Sequence, residues 1–281
     1  IQESFPSIVA RYETHLELCV QAMKRLMHRT ELQAEDFTGL GVSLPGIVDN
    51  EKGILLYAPY ANWENVEVAG YLSKNLGISR VRCENDVNAC AIGEKRFGLG
   101  NNYTDFIWMT VSTGVGGAVV IGGQVYTGST WSGGSFGGIL IHPEDVRMDV
   151  EYSGCYEKYA STTGLVRLAM ETDPSLTNGR AIFEAFGRPE VRAVVDRWVG
   201  EIVNGLVSLV HIFNPSLLVL GGGVMAQPYV LEQVQTRLMP RISPGFRGVK
   251  VVRASLGNQA GLMGAAYQAS IRTVSYTHLR A

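Results

Sequence analysis

Residues 105–128, "DFIWMTVSTGVGGAVVIGGQVYTG", constrain the fold more than any other stretch. Runs of apolar, β-branched and aromatic residues are cut by glycine turns, which reads as three antiparallel strands in a meander. The flanking segments have another period. Phe5, Ile8, Val9, Tyr12, Leu16, Cys19, Val20, Met23 and Met27 form one apolar stripe on a helix. "FTGLGVSLPG" (37–46) is a strand ended by Pro45-Gly46, residues 66–76 are a short helix stopped by Gly77, and "VRCEN" is a strand running into a helix from Asp86 to Phe97. Helices are expected at 155–171, 179–186, 189–212, 228–239 and 259–271, and strands at 216–223 and 249–253. Strands alternating with helices give the α/β class, with a boundary near residue 104.

A length of 281 residues suggests two domains of roughly 150 residues each. The net charge of −2 provides no footprint for nucleic acid or an anionic membrane, and no apolar run reaches the roughly 18 residues of a membrane span. Cys19, Cys83, Cys90 and Cys155 form no CxxC pair, which argues against a zinc ribbon and for a reducing, cytoplasmic setting. The chain opens at Ile1 on a helical pattern, so we expect a fragment. "VSYTHLRA" (274–281) follows a helix without a turn signal and is expected to be a non-native tail.

Three places carry chemistry. In "TVSTGVGG" (110–117) glycines allow close backbone approach and successive amides form an anion-binding nest, with the Thr113 hydroxyl beside them. The glycines join two strands, unlike a Walker loop or a dinucleotide fingerprint, each of which leads into a helix. The alternative is a tight hairpin turn. "NPSLLVLGGGVM" (214–225) is a buried strand ending in three glycines, either a ligand site at a strand's carboxyl end or a packing turn. Asp86, where "VRCEN" meets its helix, either caps the helix or takes a proton from a substrate.

Together these pieces resemble the ROK family, bacterial sugar kinases and sugar-responsive repressors of the hexokinase/actin superfamily. "ENDVNACAIGE" (84–94) matches the signature E-N-D-x-N-x-x-x-x-x-E, and "GVSLPGIVD", "STGVGGAVVIGGQVYTG", "GCYEKYAS", "NPSLLVLGGGV" and "NQAGLMGAA" follow in the family's order. The resemblance implies a two-lobed actin-like ATPase (ribonuclease H-like) α/β fold. Residues 1–104, completed by 257–273, would form the small lobe and 105–256 the large one. It implies that Asp86 is the general base, that Asn85, Asp86, Glu157 and the Gly46 backbone bind sugar, that Thr113, Gly114 and Gly116 hold ATP phosphates, and that Gly221, Gly222 and Gly223 lie against the adenosine. ATP with Mg2+ is the expected co-substrate, the lobes closing over a cleft.

Departures from the pattern set further expectations. The family's opening D-x-G-G-T hairpin is absent, so this chain is expected to fold poorly or turn over very slowly. In "GSFGG" (134–138) Ser135 stands for the sugar-binding glutamate and Gly138 for the zinc histidine, while Met148 and Val150 stand for two zinc thiolates, leaving Cys155. No zinc is expected, since one thiolate cannot build a four-ligand site; His142 and Cys155 are read as structural. The leading expectation is an ATP-dependent sugar kinase acting on a hexose, an N-acetylhexosamine or a glycoside at O6. The alternatives are a ROK transcriptional repressor whose DNA-binding domain is not in this chain, and a degenerate sugar-binding protein. Nucleic acid is expected as a partner only in the repressor case. A homodimer is expected by family analogy.

Overall fold

The structure, a computed structural model, describes residues 2–5 and 11–271. Ile8, Val9 and the tail at 274–281 lie outside the described residues. The chain forms two compact units, Ile1–Gly93 with Asn258–Ala281, and Glu94–Gly257. The first division falls inside a helix.

In chain order the first unit carries α1 (Tyr12–Thr30), β1 (Leu40–Leu44), β2 (Ile47–Asp49), β3 (Ile54–Ala58), β4 (Trp63–Val66), α2 (Val68–Leu76), β5 (Val81–Asn85) and the start of α3 (Asp86–Phe97). The stripe on α1 buries Leu16 and Val20 against Leu55, Trp63, Leu72 and Leu76. β1 and β5 pair in parallel, with Leu44 opposite Asn85. The closing helix, Ala260–Ser270, packs so tightly on them that a Cβ at Gly41 would overlap the Ala265 carbonyl. That contact explains the small residues of "NQAGLMGAA". The antiparallel sheet β2–β3–β4 was not expected from the sequence. Its strands are three to five residues long, its register shifts between Ile47 and Val48, and Asn62 and Asn65 have positive φ. These irregularities erase the period-2 signal.

The second unit carries β6 (Phe106–Val111), β7 (Val115–Ile121), β8 (Gln124–Tyr126), α4 (Tyr156–Ala160), α5 (Thr162–Thr172), α6 (Gly179–Glu184), α7 (Pro189–Phe213), β9 (Leu217–Gly221), α8 (Pro228–Leu238) and β10 (Lys250–Arg253). The sheet order is β10-β9-β6-β7-β8, parallel from β10 to β6 and antiparallel through the meander β6–β7–β8. α7 buries Val195, Trp198, Ile202 and Leu206 completely, each contributing about 2–3 kcal/mol on transfer from water. The helix expected at 155–171 is two helices. Ser161 is extended (φ −70°, ψ 164°), its hydroxyl caps α5 at Gly164 N (3.1 Å), and Trp198 Nε1 donates to the Ala160 and Ser161 carbonyls, both at 3.0 Å.

Glu94, the last residue of the E-N-D signature, is fully buried, with no cationic partner among the described residues. Its carboxylate accepts from Ser255 N (2.6 Å), Leu256 N (3.0 Å), Ser255 Oγ (2.8 Å) and Leu99 N (3.1 Å). A buried charge is tolerated when donors replace its water, so this signature residue ties the end of α3 to the segment after β10.

Candidate active site

The chain passes from β5 to α3 with no loop between them. Asn85, not Asp86, caps the helix: its Oδ1 accepts from Val87 N and Asn88 N, both at 3.0 Å. The capping role considered for Asp86 therefore belongs to its neighbour, because Asp86 is already the first helical residue. The Asn85 amide donates to Gly46 O (2.9 Å) and to Asp86 Oδ1 (3.1 Å), and Asp86 Oδ1 also accepts from Val87 N (3.0 Å). One carboxylate oxygen is thus locked, while Oδ2 takes no hydrogen bond among the described residues. Asp86 is half-buried. Burial raises its pKa above the ordinary carboxylate value, against the opposing pull of the Val87 and Asn85 hydrogen bonds.

Two neighbours missed from the sequence build this junction. Glu84, 3% exposed, accepts from Asn50 Nδ2 (2.8 Å), Asn85 N (3.0 Å) and Asn88 Nδ2 (3.1 Å). It fixes the backbone on which Asp86 is mounted. Their signal was in the motif itself, whose first Glu and second Asn bracket N-D. Gly46 holds φ +117°, and a Cβ there would overlap the Tyr57 carbonyl oxygen. Only glycine presents the Gly46 carbonyl to Asn85 in this way.

The second unit holds the Ser112–Gly114 turn between β6 and β7. Ser112 N donates to Gly114 O (2.9 Å), Thr162 N to Ser112 O (2.7 Å) and Thr163 Oγ1 to Thr113 O (2.7 Å). Glu157, half-buried on α4, accepts from Val115 N at 3.0 Å, and its carboxylate leaves no room for a Cβ on Gly114. Beside the turn lies a pocket of about 940 Å³. Its walls are Ser112 and Thr113 of the turn, Thr162, Thr163 and Val166 of α5, Thr177 to Arg180 with Phe183 and Glu184 around α6, and Gly223, Val224 and Gln227. α5 and α6 begin at this wall, capped by Ser161 and Asn178, and Gln227 precedes α8. Residues at the starts of helices therefore line one cavity, where free amide N–H groups favour anions.

Of the residues expected around a nucleotide, Thr113 and Gly223 line this pocket. Gly116 pairs with Thr110 inside the sheet. Gly221 packs on the Trp108 ring, 2.7 Å from a Cβ position, and Gly222 (φ +103°) lies against the Val111 carbonyl. The walls from α5 and α6 were missed, because the sequence shows helices there but not which ends converge.

Ser135 is exposed and donates to Ser132 O (2.8 Å). His142 meets Glu144 Oε1 through Nδ1 and Glu201 Oε2 through Nε2, both at 2.9 Å. Cys155 precedes α4, and Met148 stands 99% exposed. Among the described residues no three His, Cys, Asp or Glu side chains converge to hold a metal ion. Among the described residues no helix is long and apolar enough to cross a membrane.

The chain is 30% identical over 251 residues to a glucokinase of Thermotoga maritima, covering 83% of this chain and 79% of that one. Its structure is similar to that of a ROK family glucokinase from Streptomyces griseus in complex with glucose and AMPPNP, with a TM-score of 0.78 and 28% identity over 91% of this chain and 87% of the other. It is also 25% identical over 230 residues to the xylose repressor of Bacillus spizizenii, covering 80% of this chain and 59% of the repressor. The ROK family model matches residues 9–271, and the chain belongs to the ROK family.

Proposed function

We propose that the protein is an ATP-dependent sugar kinase transferring the γ-phosphoryl group to a sugar hydroxyl, O6 of a hexose, N-acetylhexosamine or glycoside. The observation that carries the proposal is the half-engaged Asp86 carboxylate: Oδ1 is held by Asn85 and Val87, and Oδ2 is left to accept a proton. Asp86 Oδ2 accepts the hydroxyl proton as the sugar oxygen attacks phosphorus, and a pKa raised by burial improves a carboxylate as a base. Asn85, whose two amide donors and two acceptor positions are all taken within the junction, orients the sugar indirectly, by fixing Asp86 and the Gly46 carbonyl that face it. Glu157, whose Oε1 takes no hydrogen bond among the described residues, is a sugar-binding carboxylate in this reading. Thr113 and the Gly114 backbone hold the ATP phosphates, the Thr162 hydroxyl joining them at the start of α5, while Thr163 gives its hydroxyl proton to Thr113 O and braces the turn. Of the three glycines, Gly223 faces the nucleotide directly, while Gly221 and Gly222 shape the strand end behind it.

Asp86→Asn is expected to lower kcat by roughly 10²–10⁴ and to leave sugar affinity within a few-fold. Unchanged kcat refutes the base assignment. The acid limb of the kcat–pH profile is expected above the ordinary carboxylate range, since Asp86 must be ionised to work and burial raises its pKa.

The similarity to the xylose repressor supports a second reading, a sugar-responsive repressor. It predicts sugar binding with no phosphorylation of any sugar in a panel supplied with ATP, so turnover separates the two.

A further inference from the structure

The turn between β3 and β4 carries an aromatic side chain beside the Asp86 junction that none of the chemistry above uses. Ile47 pairs with Tyr57 across β2 and β3, and the Cβ position of Gly46 lies 3.2 Å from Ala58 Cα. The chain leaving β3 therefore runs past Gly46, whose carbonyl is bonded to Asn85. The turn closes with Ala61 N donating to Ala58 O at 3.1 Å, and Asn62 (φ 52°) turns the chain back into β4. Tyr60 sits at this turn, 51% exposed, with its hydroxyl unbonded among the described residues. Its ring is backed by the buried Trp63 at 6.1 Å, which Tyr12 and His15 brace at 6.4 and 5.6 Å. Partial burial of the phenol, and then the Asp86 charge, raise the Tyr60 pKa.

Resting on the sugar-kinase reading, we propose that Tyr60 is a specificity-determining residue of the acceptor site, its ring stacking on the C–H-rich face of the pyranose whose hydroxyl meets Asp86. An aromatic face supplies apolar contact and weak C–H contacts to a sugar without fixing a hydrogen-bond pattern. The acceptor is then a pyranose with an open apolar face. The stack also shields the Asp86 carboxylate from bulk water on that side.

The test is calorimetric binding of D-glucose, methyl β-glucoside, N-acetylglucosamine and D-xylose to the wild type, Tyr60→Ala and Tyr60→Phe, with kcat and both KM values measured alongside. Tyr60→Ala is expected to weaken the best-bound sugar about tenfold, leave the KM for ATP within twofold, and unfold within a few degrees of the wild type because the ring is half-exposed. Tyr60→Phe retains binding within threefold. Undiminished binding by Tyr60→Ala overturns the proposal, and so does a Tyr60→Phe variant as weak as the alanine, since that assigns the effect to the hydroxyl. Sugar binding that falls in Tyr60→Ala while the wild type shows no turnover refutes the kinase reading and upholds the stacking. A wild type that binds none of the four sugars overturns both.

Discussion

The Asp86 junction and the Ser112–Gly114 turn with its pocket are built from different materials. At the junction, side-chain amides and carboxylates do the positioning: Asn85 alone makes four hydrogen bonds, and Glu84 three. At the turn, the side chains of Thr163 and Glu157 meet backbone groups, Thr113 O and Val115 N, and close approach replaces side-chain amides, with Glu157 on Gly114 and the Val111 carbonyl on Gly222. The difference matches the ligands proposed for each. Sugar hydroxyls are told apart by directional donors and acceptors, whereas phosphates are cradled by amides and helix starts. It follows that the junction is sensitive to changes of side-chain chemistry and the turn to added volume.

The sharpest test lies within the three glycines. Gly222 has φ +103° and ψ 152°, a conformation essentially reserved for glycine, and its Cβ position overlaps a carbonyl. Gly222→Ala is expected to cost about 3 kcal/mol and to lower Tm by roughly 10 °C in a chain this size. Gly223→Ala has no neighbour within 4 Å of its Cβ position. It should leave Tm within a degree or two and raise the KM for ATP, because its methyl projects at the pocket wall. Equal Tm values for the two variants would end the idea that glycine volume governs this side. Next in size is Asn85→Ala, which removes the cap of α3 and the bond to Gly46 together. A lost cap is worth about 1 kcal/mol and each orphaned buried partner about 1–2 kcal/mol, so a loss of about 2–3 kcal/mol is expected by denaturant titration, with a weakened sugar KM. Thr113→Ala, whose partner bonds its backbone carbonyl and not its side chain, should change stability by less than about 0.5 kcal/mol. If Thr113→Ala destabilises as much as Asn85→Ala, the contrast between the two regions fails.

The same contrast sets what could be read from the sequence. Side-chain chemistry is written in residue identity, so the E-N-D junction was legible before any coordinates, and so was the glycine-cut meander. Which member of N-D caps the helix was not, since it depends on where the first helical φ/ψ pair falls. The three glycines look identical as letters, and only the neighbours of each Cβ position separate the pocket-facing Gly223 from Gly221 on Trp108 and Gly222 on Val111. The pocket wall at Asn178, Arg180 and Phe183 was hidden for another reason: convergence of helix starts is a property of tertiary packing. The break at Ser161 was also missed, because the apolar pattern runs through it while the Trp198 indole, far along the chain, holds the two carbonyls that end one helix and begin the next.

Within the second unit, the segment around His142 behaves like the junction rather than the turn, and it provides the smallest test. His142 is clasped between Glu144 and Glu201, its ring 4.2 Å from that of Tyr159, whose hydroxyl bonds Asp145. Burial works against the charged imidazole, but the hydrogen bonds and charges of Glu144 and Glu201 outweigh it, so the folded-state pKa lies above the ordinary histidine value. A group whose pKa is raised on folding stabilises fully below its unfolded pKa, near 6.5, and loses that contribution as pH rises through the folded value. The unfolding free energy should therefore decline from about pH 6 into the range above neutrality, by an amount on the order of 0.5 kcal/mol because the clasp is partly open to solvent, and Tm should fall slightly with it. His142→Gln, which keeps a donor to one carboxylate but cannot charge, should flatten that decline and leave Tm above pH 8 close to the wild type. A decline of the same slope in the variant would show that the two carboxylates hold the segment without the imidazolium, and would leave side-chain charge as the organising material at the Asp86 junction alone.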